Sequence, residues 1–308
     1  MVARRRMAAP DRNPPRDDRV LPATRWVSFC VVLILLPAVV VLWGLPGSTA
    51  DLWAWTIMPD LTPIFMGAGY GAGAYFFTRV FLSRVWHPAS VGVLSAAVFA
   101  ALMLFPTFQH WDRFNHGDGP FLSAVAFYGW VSVYIVSPFL IAALWLLNRR
   151  TDPGGSVRGS AIVPPAVLLG ARLFGAGALA AAAVVLVWPS VAVDNWAWSV
   201  TPLTARVLAC FTAQVGVGCL MLSLDGRWSA WRLFVQTFLV AVALLLVGAV
   251  RAWDDFDTSN AFTWTYLAGL VGAGLALLLL YRAMERTSGG PAGEPAVRRE
   301  ERVLDGAA

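Results

Sequence analysis

The chain has 308 residues, 58% of them hydrophobic and 13% charged, with a formal net charge of +5. A mean hydropathy of +0.65 excludes an ordinary soluble domain. Every basic residue is arginine. The arginines flank long apolar runs, a placement that fits membrane orientation and argues against a nucleic-acid partner.

Residues 1–25 carry seven arginines among prolines, without the apolar core and small-residue cleavage site of a secretory leader. They read as a disordered cytoplasmic arm. A helix needs about 20 apolar residues to cross the hydrocarbon core, and runs of that length fall at 26–45, 61–82, 88–105 and 121–147. Pro37 marks a kink in the first run. In the second, Gly67, Gly69, Gly71 and Gly73 clear one helix face for a neighbouring backbone. A Gly/Pro/Arg-rich linker at 148–164 leads to further runs at 165–188, 201–224, 230–250 and 261–282, and residues 284–308 read as a disordered charged tail. Cys30, Cys210 and Cys219 all fall inside these runs and read as small apolar residues.

Two signatures occur twice, in the same order. Trp53-Ala54-Trp55 and Pro59 return as Trp196-Ala197-Trp198 and Pro202 after 143 residues. After the extra Asp60 the spacing becomes 142, which carries Leu61-Thr62 onto Leu203-Thr204 and Trp111-Asp112-Arg113-Phe114 onto Trp253-Asp254-Asp255-Phe256. The expected fold is therefore an all-α integral membrane protein of eight transmembrane helices. These form two four-helix repeats, 26–147 and 165–283, and the even span number gives both repeats one orientation, about an axis along the membrane normal. The arginines collect on one side, leaving Arg113, Arg206 and Arg251 on the aspartate-rich other side. By the positive-inside rule both termini lie in the cytoplasm.

The segment Trp196–Arg206, Trp-x-Trp-x-x-x-Pro-Leu-Thr-x-Arg, resembles one found in uncharacterised multi-span bacterial membrane proteins, actinobacterial ones among them. The first copy matches in part, because Asp60 interrupts it and Ile64 stands where the arginine would be. The resemblance implies a bacterial inner-membrane protein and brings no activity, cofactor or catalytic residues.

Candidate chemistry lies at the outer ends of the spans. Trp53, Trp55, Trp196 and Trp198 fit an aromatic belt, or a cleft for a lipid or other apolar ligand if the two pairs converge. Arg206, one turn inside its span, needs a partner. Asp194, Asp254 and Asp255 are the candidates, with an anionic ligand as the alternative. His110 and His116 match no zinc pattern, and their second-half counterparts are Ala252 and Thr258. His87 reads as an interface residue. Mid-span positions hold no Asp, Glu, Lys or His, and no P-loop, nucleophile elbow or paired-carboxylate motif is present. No metal or cofactor is expected. The leading expectation is a non-enzymatic protein binding a ligand, lipid or protein partner at its outer face. A transporter with a path at the repeat interface, and a membrane enzyme joining Arg206, Asp254, Asp255 and His110 or His116, are the rivals.

Overall fold

The computed structural model describes residues 16–117, 119–153 and 161–288. Most of the arm, the middle of the linker, Asp118 and most of the tail lie outside them. Ten α-helices follow in order: α1 (Pro22–Val39), α2 (Thr49–Leu52), α3 (Leu61–Leu82), α4 (His87–Gln109), α5 (Phe121–Asn148), α6 (Pro165–Val187), α7 (Ser190–Val193), α8 (Pro202–Leu222), α9 (Trp228–Arg251) and α10 (Ala261–Ser288). Their starts follow sequence signals. Proline opens α1, α6 and α8 and stands second in α4, positions where its missing N–H costs nothing. Thr201 and Thr204 form a reciprocal capping box ahead of α8.

Seven described helices are long and apolar enough to cross a membrane, so the chain is an all-helical, membrane-embedded protein with lipid-facing helices. The remaining long helix, α3, is made less apolar by Gly67, Gly69, Gly71, Gly73, Tyr70 and Tyr75. It is also among the most enclosed, with buried residues from Leu61 to Val80. A helix sheathed by protein has less need of an apolar surface.

Several boundaries differ from expectation. Proline does not end α4 at Pro106, and α1 continues past Pro37 into a π-helical turn, Val40–Gly44. Neighbouring helices make such prolines tolerable in membrane spans. At its end, α10 runs beyond residue 282 to Ser288. Glu285 holds it there by accepting from Trp228 Nε1 and Arg232 Nη2, each at 2.8 Å.

The segment before α1 is docked rather than free. Val20 N–H donates to Arg84 C=O at 3.1 Å and Trp86 N–H to Asp18 C=O at 2.8 Å. In the other half of the chain, Val163 N–H donates to Gly226 C=O at 2.9 Å and Trp228 N–H to Ala161 C=O at 2.9 Å. Buried Asn148 completes the first dock, accepting from Leu21 N–H and Thr24 Oγ1 and donating to Arg19 C=O.

Consecutive long helices pack as pairs, α1 with α3, α4 with α5, α6 with α8 and α9 with α10, and the pairs join across the two halves. On α3 lie α1 and α9, and on α8 lie α6 and α4. Helix α5 covers α4, α10 covers α9, and α4 meets α9 at the centre. Consecutive α3 and α4 are bridged by a side chain, since a Cβ on Gly92 would lie 2.3 Å from the Phe76 ring. Between α8 and α9 the sizes reverse, with a Cβ on Gly218 lying 2.4 Å from the Phe234 ring. Of the four glycines expected to admit a backbone, Gly67 does so, against Trp43, whereas Gly69, Gly71 and Gly73 face the side chains of Phe211, Leu244 and Leu35; backbones also approach where α6 crosses α8, at Gly175 and Gly216.

Candidate functional site

On the tryptophan-rich face the two signatures interlock. Each Trp-Ala-Trp follows a one-turn helix, with Trp53 N–H donating to Thr49 C=O at 3.0 Å and Trp196 N–H to Ala192 C=O at 2.8 Å. The intervening alanine carbonyl then accepts from the residue after the Trp-Asp-x-Phe signature. Asn115 N–H reaches Ala54 at 2.8 Å, and Asp257 N–H reaches Ala197 at 3.0 Å. Trp55 meets Phe114 with ring centroids 5.1 Å apart, and Trp198 meets Phe256 at 5.9 Å.

The tryptophans form two aromatic clusters. Trp53 and Trp55 pack edge-to-face on Trp130, while Trp196 and Trp198 pack on one another and on Tyr266. Trp55 and Trp198 are buried. Trp198 Nε1 donates to Thr62 Oγ1 at 2.8 Å, tying its loop to α3. The indole N–H groups of Trp53, Trp55 and Trp196 are buried without an acceptor among the described residues.

Arg206 reaches none of its expected aspartates. Its Nε donates to Leu186 C=O at 2.9 Å and its Nη1 to His110 Nε2 at 2.7 Å, and the guanidinium lies 5.7 Å from the centre of the Phe105 ring. It makes no ion pair with a described carboxylate. The reason lies in the packing. Because α8 sits on α4 and α6, its outer turn faces the ends of those helices, and the loop after α9 is carried to α3 instead. Arginine can only donate, so His110 must accept and stays neutral at Nε2. Burial and the Arg206 charge both hold the His110 imidazole below its ordinary pKa, against the pull of Asp112. Phe105, over which the guanidinium lies, is exposed, as are Phe108, Val187 and Trp188 on the same ends of α4 and α6.

Asp254 and Asp255 line a second place, a polar cleft of about 230 Å³ shared with Asp60, Arg251, Ile64 and Pro46. Asp255 Oδ2 accepts from Leu61 N–H at 2.9 Å, capping α3. Burial and neighbouring Asp255 push the Asp60 carboxyl above its ordinary pKa, with Arg251 opposing. Asp194 is exposed at the end of α7. His116 is turned back on its own loop, donating to Trp111 C=O at 2.6 Å. Arg206 and His110 thus meet each other, but Asp254 and Asp255 do not join them. Among the described residues no group of three or more His, Cys, Asp or Glu is arranged to hold a metal ion.

Sequence reading missed the part played by His87. Its Nδ1 meets Asp18 Oδ2, its Nε2 meets Ser229 Oγ at 2.9 Å, and its N–H donates to Asp18 Oδ1 at 2.9 Å. The Ser–His–Asp order is that of a hydrolase triad. Here the side chains stitch the segment before α1 to the first turns of α4 and α9. One signal was available: Ser229 stands 142 residues after His87, the spacing of the repeated signatures.

Comparison of the chain with protein-family models, with curated proteins and with solved structures returns no match. Its function has to be read from its own geometry.

Proposed function

We propose that this is an eight-span bacterial inner-membrane protein of two same-orientation four-helix repeats, with cytoplasmic termini, that binds the phosphate of an anionic lipid at its outer face. The 22-residue length of α3 supports the eighth span, since it suffices to cross. Matched hydrogen bonds at both ends of the molecule support duplication, and the one-sided arginines support the orientation.

The observation that carries the lipid reading is Arg206. A guanidinium one turn inside a span is costly unless something answers its charge, and here the protein supplies a neutral imidazole, a carbonyl and a ring. An outer-leaflet headgroup is the anion available at that depth, and the exposed side chains of Phe105, Phe108 and Trp188 set the contact beside lipid. Arginine and phosphate form strong charge-assisted hydrogen bonds.

The test is lipid retention by the purified protein in native mass spectrometry, using phosphatidylglycerol, phosphatidylcholine and soluble glycerol phosphate. The wild type is expected to retain phosphatidylglycerol, and Arg206→Gln to weaken it roughly tenfold or more, since a charged hydrogen bond is worth about 1.5–3 kcal/mol. Glycerol phosphate binding without lipid would make the ligand a soluble anion. Equal retention by both proteins would refute the site.

A further inference from the structure

A cavity of about 350 Å³ lies at mid-depth where α3 and α4 meet α8 and α9, with α6 and α10 completing its wall. That volume is at the small end of small-molecule sites. Its lining is mostly apolar and includes the rings of Phe65, Phe76, Phe211, Phe234 and Phe238. Rings of this kind favour a flat partner that can stack or present an edge.

The polar side chains of the cavity differ in what they still need. Ser95, Thr212 and Thr237 return their hydroxyls to Gly92, Leu208 and Leu233 carbonyls of their own helices, at 2.9–3.0 Å. Gln214, near the middle of α8, has no protein hydrogen-bond partner among the described residues. The contrast is Gln236, one helix away, which accepts from Tyr75 Oη at 3.1 Å and donates to Tyr281 Oη at 3.0 Å. At hydrocarbon depth water does not fill such a need, so an unmet amide is disfavoured.

The helices that cover the cavity differ on its two sides. On the α3–α4 side, the covering helices α1 and α5 touch. On the α8–α9 side, α6 packs chiefly on α8 and α10 chiefly on α9. Phe174 of α6, whose ring is largely exposed, and Leu270 and Ala273 of α10 line the cavity on this side.

From these features we infer that the cavity binds the head of a membrane-dissolved ring compound bearing a carbonyl oxygen, the chemistry of an isoprenoid quinone. Gln214 Nε2 donates to the carbonyl, the phenylalanines hold the ring, and the tail leaves between α6 and α10 into lipid. An acyl chain would leave the amide unmet, and a water-soluble ligand would find no counterpart for its polar atoms. The inference does not depend on Arg206.

The experiment is equilibrium dialysis of full-length protein in detergent against decylubiquinone and, separately, palmitate, each corrected for an empty-micelle blank. Wild-type protein is expected to take up decylubiquinone above the blank. Gln214→Leu, which keeps the volume and removes the donor, is expected to weaken it about tenfold, as for one good hydrogen bond in a dry site. Ala241→Phe fills the cavity from α9 and should abolish uptake, and a thermal scan confirms that each variant is folded. Absence of wild-type uptake overturns the inference, as does equal uptake by Gln214→Leu. Palmitate binding that matches decylubiquinone and ignores Gln214 also overturns it, in favour of a plain chain site.

Discussion

Phe76 over Gly92 and Phe234 over Gly218 place one ring in each of two gaps, from opposite sides. Exchanging the first pair therefore has a calculable outcome. Phe76→Gly alone empties a buried ring site (Phe76 is 5% exposed), a loss of about 3–5 kcal/mol. Gly92→Phe alone drives a second ring into space where even a Cβ lies 2.3 Å from Phe76, costing about 1–3 kcal/mol or more. Simple addition makes the double variant about 4–8 kcal/mol less stable. The structure instead predicts that Phe76→Gly/Gly92→Phe recovers most of that, because α9 already fills the matching gap with a ring over the glycine of α8. The helix-propensity changes also cancel, since one glycine is removed for each added. Unfolding by SDS titration, followed by tryptophan fluorescence, gives the four stabilities of the cycle. A double variant as unstable as the sum would show that Phe76 and Gly92 are not partners and refute the reasoning.

Two further outcomes follow from contacts described above. Gly216→Ala puts a Cβ 2.9 Å from Leu179 Cγ and 3.0 Å from the Gly175 carbonyl, whereas a Cβ on Gly177 meets nothing within 4 Å. Gly177→Ala should therefore be neutral or gain up to about 1 kcal/mol of helix propensity, while Gly216→Ala loses about 1–3 kcal/mol to overpacking; thermal scans in detergent rank the two. His110 titrates below its ordinary pKa when folded, so it is disfavoured as a cation there. Stability is then intact above the ordinary histidine range and falls as pH drops through the lowered value. That acid-side slope should shrink in His110→Gln, and an unchanged slope would place the titration elsewhere.

The spans were legible because membrane helices announce themselves by length and apolarity, and their starts by proline. Partner choice was not. Lipid is as apolar as the helix faces, so shape selects the neighbour, and shape lies in details such as Gly175 opposite Gly216. Arg206 shows the consequence. Its obvious aspartates lie in its own half of the chain, yet α8 packs on α4 and meets His110 instead. Gln214 escaped notice for a different reason: a neutral amide in an apolar run carries no charge to draw the eye, and its unmet hydrogen bonds become visible only beside a cavity. The tryptophan signatures were legible as a repeat in sequence, but their purpose was not, because what they bind first is each other.

The crossed pairing of α3 with α9 and α4 with α8 bears on how the molecule is made. As the chain is synthesised, α3 and α4 enter the bilayer more than a hundred residues before the helices that will cover their inner faces. The first four long helices must wait, loosely assembled, with glycine-lined surfaces exposed to lipid. Those faces are covered only once α8 and α9 have been made, with α10 following onto α9. Two fragments cut within the linker should therefore be inert apart and complementary when co-expressed, each supplying the half-interface the other lacks.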